Sequence, residues 1–505
     1  QVARGVSAAI VASHFARGDD GERASHFYLE AATAARTTYQ TNLAVRYYKR
    51  ALLQLTIDDP RRLLAHDALE GIFRMLGRKR DRVAQLEGMR ACARQVASPR
   101  SVCLAFLRTA RFDLDEGKLP HGLPIARKAA QIARGAGFLT LEIEAESLVS
   151  ELSRELGDVQ GALAAADRAL AACDPNVNPN VPPRLRADAL RSRGVLLRRV
   201  GRVREAMVDY VEAIAIYRRH GAHRQEARAK NALAFAMFVQ GRYEDSIALA
   251  LESIQIDLSV GGRFQLAKTL ANIGQSYSRL GDMPRAAAYL KRAREAHERY
   301  GDKDGRADTL LVSAEVALDT GALDEAVAFH KEGLDLCEAT ANAYDKAHAL
   351  VVGAAISRAQ REPQKAITLA VEARRMAENQ ALVAYHFYAF AIEASARVDA
   401  GEVHSATLLA TTALGAVETL QGTEYGLEIR TLCADALKRA GSPQAATTRQ
   451  RTVDYATALM ETIRDARLRR CFSERPMVAA LFDATPSPLA ETGTTVKRPS
   501  APSMP

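Results

Sequence analysis

The residues best suited to chemistry are few and scattered. His220 and His223, in "RRHGAHRQEA", form the only close histidine pair. A metal ion needs further ligands beside them, and no Cys or other His lies near enough in sequence, so the pair reads as a surface loop between helices. The six cysteines, Cys92, Cys103, Cys173, Cys337, Cys433 and Cys471, contain no CxxC pair. That argues against a zinc site or a disulfide framework, and for buried free thiols in a reducing compartment. Carboxylates cluster in "DLDEG" (Asp113 to Gly117) and "RYEDS" (Arg242 to Ser246). Both clusters border turns, where acidic residues favour a helix start. There is no GxxxxGK[ST], HExxH or GxSxG sequence and no kinase signature. The expectation is a chain without catalytic residues, metal or cofactor, and not an enzyme.

The elements that carry these residues are helices. With 505 residues and 48% hydrophobic content the chain is too long for one ordinary compact domain. Aromatic residues are only 6% and Trp is missing, while alanine is abundant, which favours helices packed through small residues. The formal charge of +9 is mild for this length and could steer an acidic partner. Arg-rich phrases such as "RMLGRKRDR" (Arg74 to Arg82) lack interleaved stacking aromatics, so a nucleic-acid-binding solenoid is the least favoured reading. No apolar stretch approaches the length of a membrane span, and a cytoplasmic location is expected. The chain starts with Gln, and we read it as a piece of a longer protein or a processed one.

Three combs share one register. Turn glycines stand at Gly77, Gly117, Gly157, Gly201, Gly241, Gly281, Gly321, Gly401 and Gly441, with Arg361 at the vacant tooth. The one irregular interval, between Gly157 and Gly201, contains the helix-breaking loop "DPNVNPNVPP". Seven residues before each turn sits a small residue (Ala234, Gly274, Ala314), and five after it another (Ser246, Ala286, Ala326). Small residues recur where helix axes cross closely. Each period of 40 residues is therefore a helix, a tight turn and an antiparallel helix, with Asp282 as an N-cap. One such hairpin cannot bury its apolar face alone, so the hairpins must stack.

Gly274, Tyr277, Gly281, Ala286 and Ala293 resemble the tetratricopeptide repeat family. The likeness runs over roughly residues 20 to 460, in the long-repeat form. HEAT or armadillo stacks have similar periods but lack the glycine-centred turn and the alanine pair. The resemblance implies an all-α, tetratricopeptide-type helical-hairpin solenoid, a right-handed superhelix. The N-terminal phrase resembles the junction that, in large bacterial regulators, joins a signalling ATPase or serine/threonine kinase module to such an arm. The phrase "RDARLRRCFSERPMVAALF" resembles the closing helix of these arms, with Arg470 and Phe472 as its Arg–Phe pair.

The expected organisation is irregular hairpins over 1–60, repeats over 61–172, a loop at 173–184, regular repeats over 185–460, a capping helix at 461–482 and a disordered tail at 483–505. By the resemblance, the first helix of each repeat lines a concave groove. Its expected residues are Arg191, Arg198, Arg199, Arg228, Asn231, Phe235, Lys268, Gln275 and Arg279, followed by an acidic stretch near Asp308, Glu315 and Asp319. Arginine suits bidentate capture of carboxylate or phosphate. The expected function is a non-catalytic protein-protein interaction scaffold or sensor arm of a bacterial signalling protein. Its partner would be a protein or peptide, acidic or phosphorylated, or its own upstream catalytic domain. The alternative is the regulatory part of a kinase or ATPase whose catalytic domain lies outside this chain.

Overall fold

The computed structural model describes residues 7–38, 40–259, 264–340 and 342–482. The expected tail at 483–505 lies outside them. The described residues form helices only, and they divide into two units, one ending at Ala189 and one beginning at Leu190. Unit one holds α1 (Ala8–Arg17), α2 (Gly21–Thr37), α3 (Thr41–Gln54), α4 (Arg61–Met75), α5 (Lys79–Val96), α6 (Pro99–Asp115), α7 (Leu119–Gly135), α8 (Leu139–Glu155) and α9 (Val159–Ala172). The boundary falls within α10 (Pro183–Arg199). Unit two continues with α11 (Val203–Arg219), α12 (His223–Val239), α13 (Tyr243–Ser259), α14 (Phe264–Arg279), α15 (Met283–Tyr300), α16 (Lys303–Asp319) and α17 (Leu323–Thr340). It ends with α18 (Ala343–Ala359), α19 (Pro363–Asn379), α20 (Val383–Asp399), α21 (Val403–Thr419), α22 (Gly426–Arg439), α23 (Ala445–Thr462), α24 (Ala466–Glu474) and α25 (Pro476–Phe482).

The turn residues explain where the helices stop. Gly281 has φ +79°, and its amide and that of Asp282 donate back to the carbonyls of Ser278 and Tyr277 at 3.0 Å each. These bonds satisfy carbonyls that a helix end leaves open. Asp282 then caps α15 by accepting from the Arg285 amide. Arg361 adopts the same left-handed backbone, φ +60°, so the vacant tooth is a substitution and not a break in the repeat. A second comb lies midway between the first, at Gly137, Gly221 and Gly301, where one hairpin hands over to the next. In the N-terminal region α2 is 17 residues long, the length of a regular repeat helix. The irregularity there belongs to the 10-residue α1 and the 14-residue α3.

The small residues occupy the crossings. Ala234, Ala286, Ala293, Ala314, Ala326 and Ala354 are all fully buried. At Gly274 a Cβ would lie 2.8 Å from Leu290 Cγ, and at Gly194 it would lie 2.6 Å from the Tyr210 ring, so these crossings admit no side chain at all. The comb ends one repeat early, because Ala446 is exposed. Between the crossings apolar side chains form a core within each unit, such as that around Met89, Leu107 and Leu148 in unit one. A second such core surrounds Val351, Ile392 and Leu437 in unit two. Five cysteines are buried and Cys471 is half-buried, all unpaired to one another.

Candidate functional site

In unit one the first helices of successive repeats frame an open depression of about 370 Å³. Arg36 of α2, Asp67 and Arg74 of α4, Arg108 and Arg111 of α6, and Glu144 of α8 line it. Arg108 bridges Asp67 and Glu144, tying three repeats together. Arg111 pairs with Glu151 at 2.6 Å, and buried Glu70 pairs with Arg82 at 2.9 Å. Arg36 and Arg74 are exposed and have no ion-pair partner among the described residues. The carboxylates are consumed internally, so the uncommitted charge in this depression is positive.

In unit two the corresponding face is filled by the chain's own last repeat. Tyr425 Oη donates to Glu315 at 2.6 Å, and its ring lies 5.0 Å from the Arg279 guanidinium. Arg279, 3% exposed, sits between Glu315 (3.5 Å) and Glu428 (3.6 Å). Arg198 pairs with Glu424 at 3.2 Å and stacks on Phe235. Arg475, in the bend between α24 and α25, reaches the Arg279 carbonyl, Asp319 and Glu428. The repeat turns take part as well. Side chains or backbone of Leu420, Leu459 and Cys471 lie directly against Gly201, Gly241 and Gly281, where a Cβ would collide with them. Gly321 and Gly401, in equivalent turns, face nothing within 4 Å.

The electrostatics follow from this crowding. Burial alone would pull His348 down, but Asp308 at 3.3 Å and the hydrogen-bonded Glu315 hold it up at about 10. Burial works against the charge of Arg279, yet Glu428 and Glu315 keep it firmly protonated. Burial would raise Glu315 as well, but His348, Arg279 and Tyr425 hold it below its ordinary value. Burial and the neighbouring Asp308 push Asp345 up to about 8. Among the described residues no group of three or more His, Cys, Asp and Glu could hold a metal ion. His220 and His223 are exposed.

The expected groove residues therefore have different surroundings. Arg198, Phe235 and Arg279 are brought together with the C-terminal repeat. Asn231 is buried and accepts from Asn272 at 3.0 Å, a side-chain rung between α12 and α14. Gln275 is buried, Arg191 and Arg199 are half-buried, and Arg199 lies 5.9 Å from the Tyr344 ring. Arg228 and Lys268 are exposed. Phe472 is fully buried, but its expected companion Arg470 is exposed, and the buried arginine of the closing helices is Arg475. Arg470 faces outward because Phe472 and Leu468 take the inward positions of the short α24. Sequence reasoning also missed His348, Tyr388 and Glu428. They occupy, in the next three repeats, the position of Asp308, and extending that register would have found them; Tyr388 stacks on the Tyr425 ring with centroids 4.2 Å apart.

The hairpins, turn glycines and small-residue crossings define the class, an all-α, tetratricopeptide-like helical-hairpin solenoid. Residues 186–220, 225–299 and 265–339 match the tetratricopeptide repeat. No curated protein matches the chain. Among solved structures the chain is similar to a Rap protein complexed with Competence and Sporulation Factor. Identity is 12%, the match covers 74% of this chain and 99% of that one, and the TM-score is 0.55. It is also similar to aspartyl phosphate phosphatase F from Bacillus subtilis, at 13% identity over 72% of this chain and 91% of that one, TM-score 0.47. The first likeness is one of fold. No described helix is long and apolar enough to cross a membrane.

Proposed function

We propose that the chain is a non-catalytic binding scaffold, the partner-binding arm of a bacterial signalling protein, and that unit one takes an acidic segment of a partner protein on its inner face. The observation that carries this reading is the open depression of about 370 Å³ flanked by the uncommitted guanidinium groups of Arg36 and Arg74. Guanidinium forks favour carboxylate and phosphate alike. The fold likeness to a Rap protein crystallised with Competence and Sporulation Factor supports a binding role. The basic strip of unit two, from Arg191 to Arg279, serves a partner only when the face that Glu424, Tyr425 and Glu428 now fill is open.

The test uses the full chain and two fluorescent peptides of equal length, an oligoglutamate and a phosphoserine peptide. Wild type is expected to bind at least one, and Arg36→Ser/Arg74→Ser to weaken that binding by about tenfold or more. Lys291→Ser/Lys331→Ser, exposed on α15 and α17 of unit two, should leave it unchanged. The peptide preferred tells a carboxylate reader from a phosphate reader. No binding of either, or equal binding by the Arg36/Arg74 variant, overturns the assignment.

A further inference from the structure

Of the contacts that hold the closing helices of unit two, those of one residue have a specific chemistry. Ile463 to Asp465 lead into α24, and Glu244 accepts from the amides of Arg464 and Asp465 at 2.7 and 2.9 Å. The following helices lie across the turn between α14 and α15. There the Arg475 guanidinium, 3% exposed, meets three acceptors: the Arg279 carbonyl at 3.1 Å, Asp319 at 3.3 Å and Glu428 at 3.1 Å. The carbonyl belongs to the last residue of α14, where the helix dipole is negative and the end carbonyls seek donors. Two carboxylates and a helix C-terminus thus converge on one planar cation. Around them stand Glu315, which adds negative charge, and the Arg279 side chain, which offsets part of it. Without Arg475 the socket is anionic and short of donors.

We propose that this socket is a guanidinium-reading site which the chain's own Arg475 occupies, making α24–α25 a releasable strap over the inner face of unit two. The class of ligand it takes is an arginine side chain, and an arginine from a partner competes with Arg475 for the same acceptors. A lysine fits less well, because a single ammonium cannot present a planar fork to acceptors on three elements. The strap carries its own reporters. Cys471 is the one half-buried thiol, the other five being buried; Arg467 is an exposed trypsin site within the strap and Arg464 one in the segment that leads into it. The inference stands independently of the groove proposed in unit one.

The experiment is chemical rescue in the full chain. Arg475→Ala is expected to speed thiol labelling of Cys471 and tryptic cleavage after Arg464 and Arg467 by about tenfold or more, since a buried charge-assisted contact is lost. Millimolar methylguanidinium should restore most of the protection, and methylammonium should not. Adding Asp319→Asn and Glu428→Gln should abolish the rescue. Labelling at the wild-type rate overturns the strap. Equal rescue by both cations overturns guanidinium recognition. If Arg475→Ala does not fold, Arg475→Lys keeps the charge and loses the fork; it should label faster than wild type, and an unchanged rate counts against the proposal.

Discussion

Tyr425 and Glu315 are 110 residues apart in the chain, and the tyrosine hydroxyl donates to the carboxylate at 2.6 Å. Glu315 also faces His348 at 3.2 Å and Arg279 at 3.5 Å. One carboxylate of α16 therefore joins α14, α18 and the start of α22.

Tyr425→Phe keeps the ring over Arg279 and removes only this donor. Unit two should lose about 1 to 3 kcal/mol, because the acceptor is charged and its side chain is only 11% exposed. A double-mutant cycle with Glu315→Gln in urea unfolding checks it. The two changes should be strongly non-additive, as expected for groups in direct contact.

The pH dependence has a definite sign. His348 titrates near 6.5 when unfolded and at about 10 when folded. Below pH 6.5 both states hold the proton and the full stabilisation is present. As pH rises towards about 10 the unfolded chain releases it first, so stability falls, by at most about 1.4 kcal/mol per pH unit. Asp345, lifted from 3.8 to about 8, adds a loss in the same direction below that pH. Asp308, Glu315, Tyr385 and Tyr425 are the groups that face His348. Urea midpoints measured from neutral to alkaline pH should decline, and His348→Gln should flatten the decline.

Two glycines in helix interiors should respond oppositely to alanine. Gly274→Ala sets a Cβ 2.8 Å from Leu290 and 3.2 Å from the Ala286 carbonyl, so overpacking should outweigh the gain in helix propensity and cost about 1 to 3 kcal/mol. Gly415 in α21 has nothing within 4 Å, and Gly415→Ala should stabilise by about 0.5 to 1 kcal/mol. Thermal midpoints moving the same way in both variants would contradict the assigned crossings.

Local spacing carried the hairpins. A glycine turn and small crossing residues act within about 20 residues of one another, and their chemistry leaves little choice of structure. Arg361 shows the limit, since a backbone that glycine favours is here adopted by a residue that gives no turn signal. The midway comb at Gly137, Gly221 and Gly301 was legible but needed a period half as long. The site was hardest to read. Arg198 and Arg279 were visible as inner-face arginines, but what they meet depends on Glu424 and Glu428, whose partners are 226 and 149 residues away in the numbering. Nothing periodic links such pairs. They meet because the repeats of unit two bring its end back onto its beginning.

Ordinary repeat arrays fold and melt piecemeal, since each repeat knows only its neighbours. Unit two should not. Arg464 with Asp245 spans 219 residues and Arg475 with Arg279 spans 196, so its two ends stabilise each other directly. Such contacts raise the contact order and require a long loop to close before they reward the chain. The result is a cooperative body that refolds slowly and resists fraying from either end. A deletion or insertion of one 40-residue repeat, which open arrays tolerate, would here put every one of these long-range partners out of register.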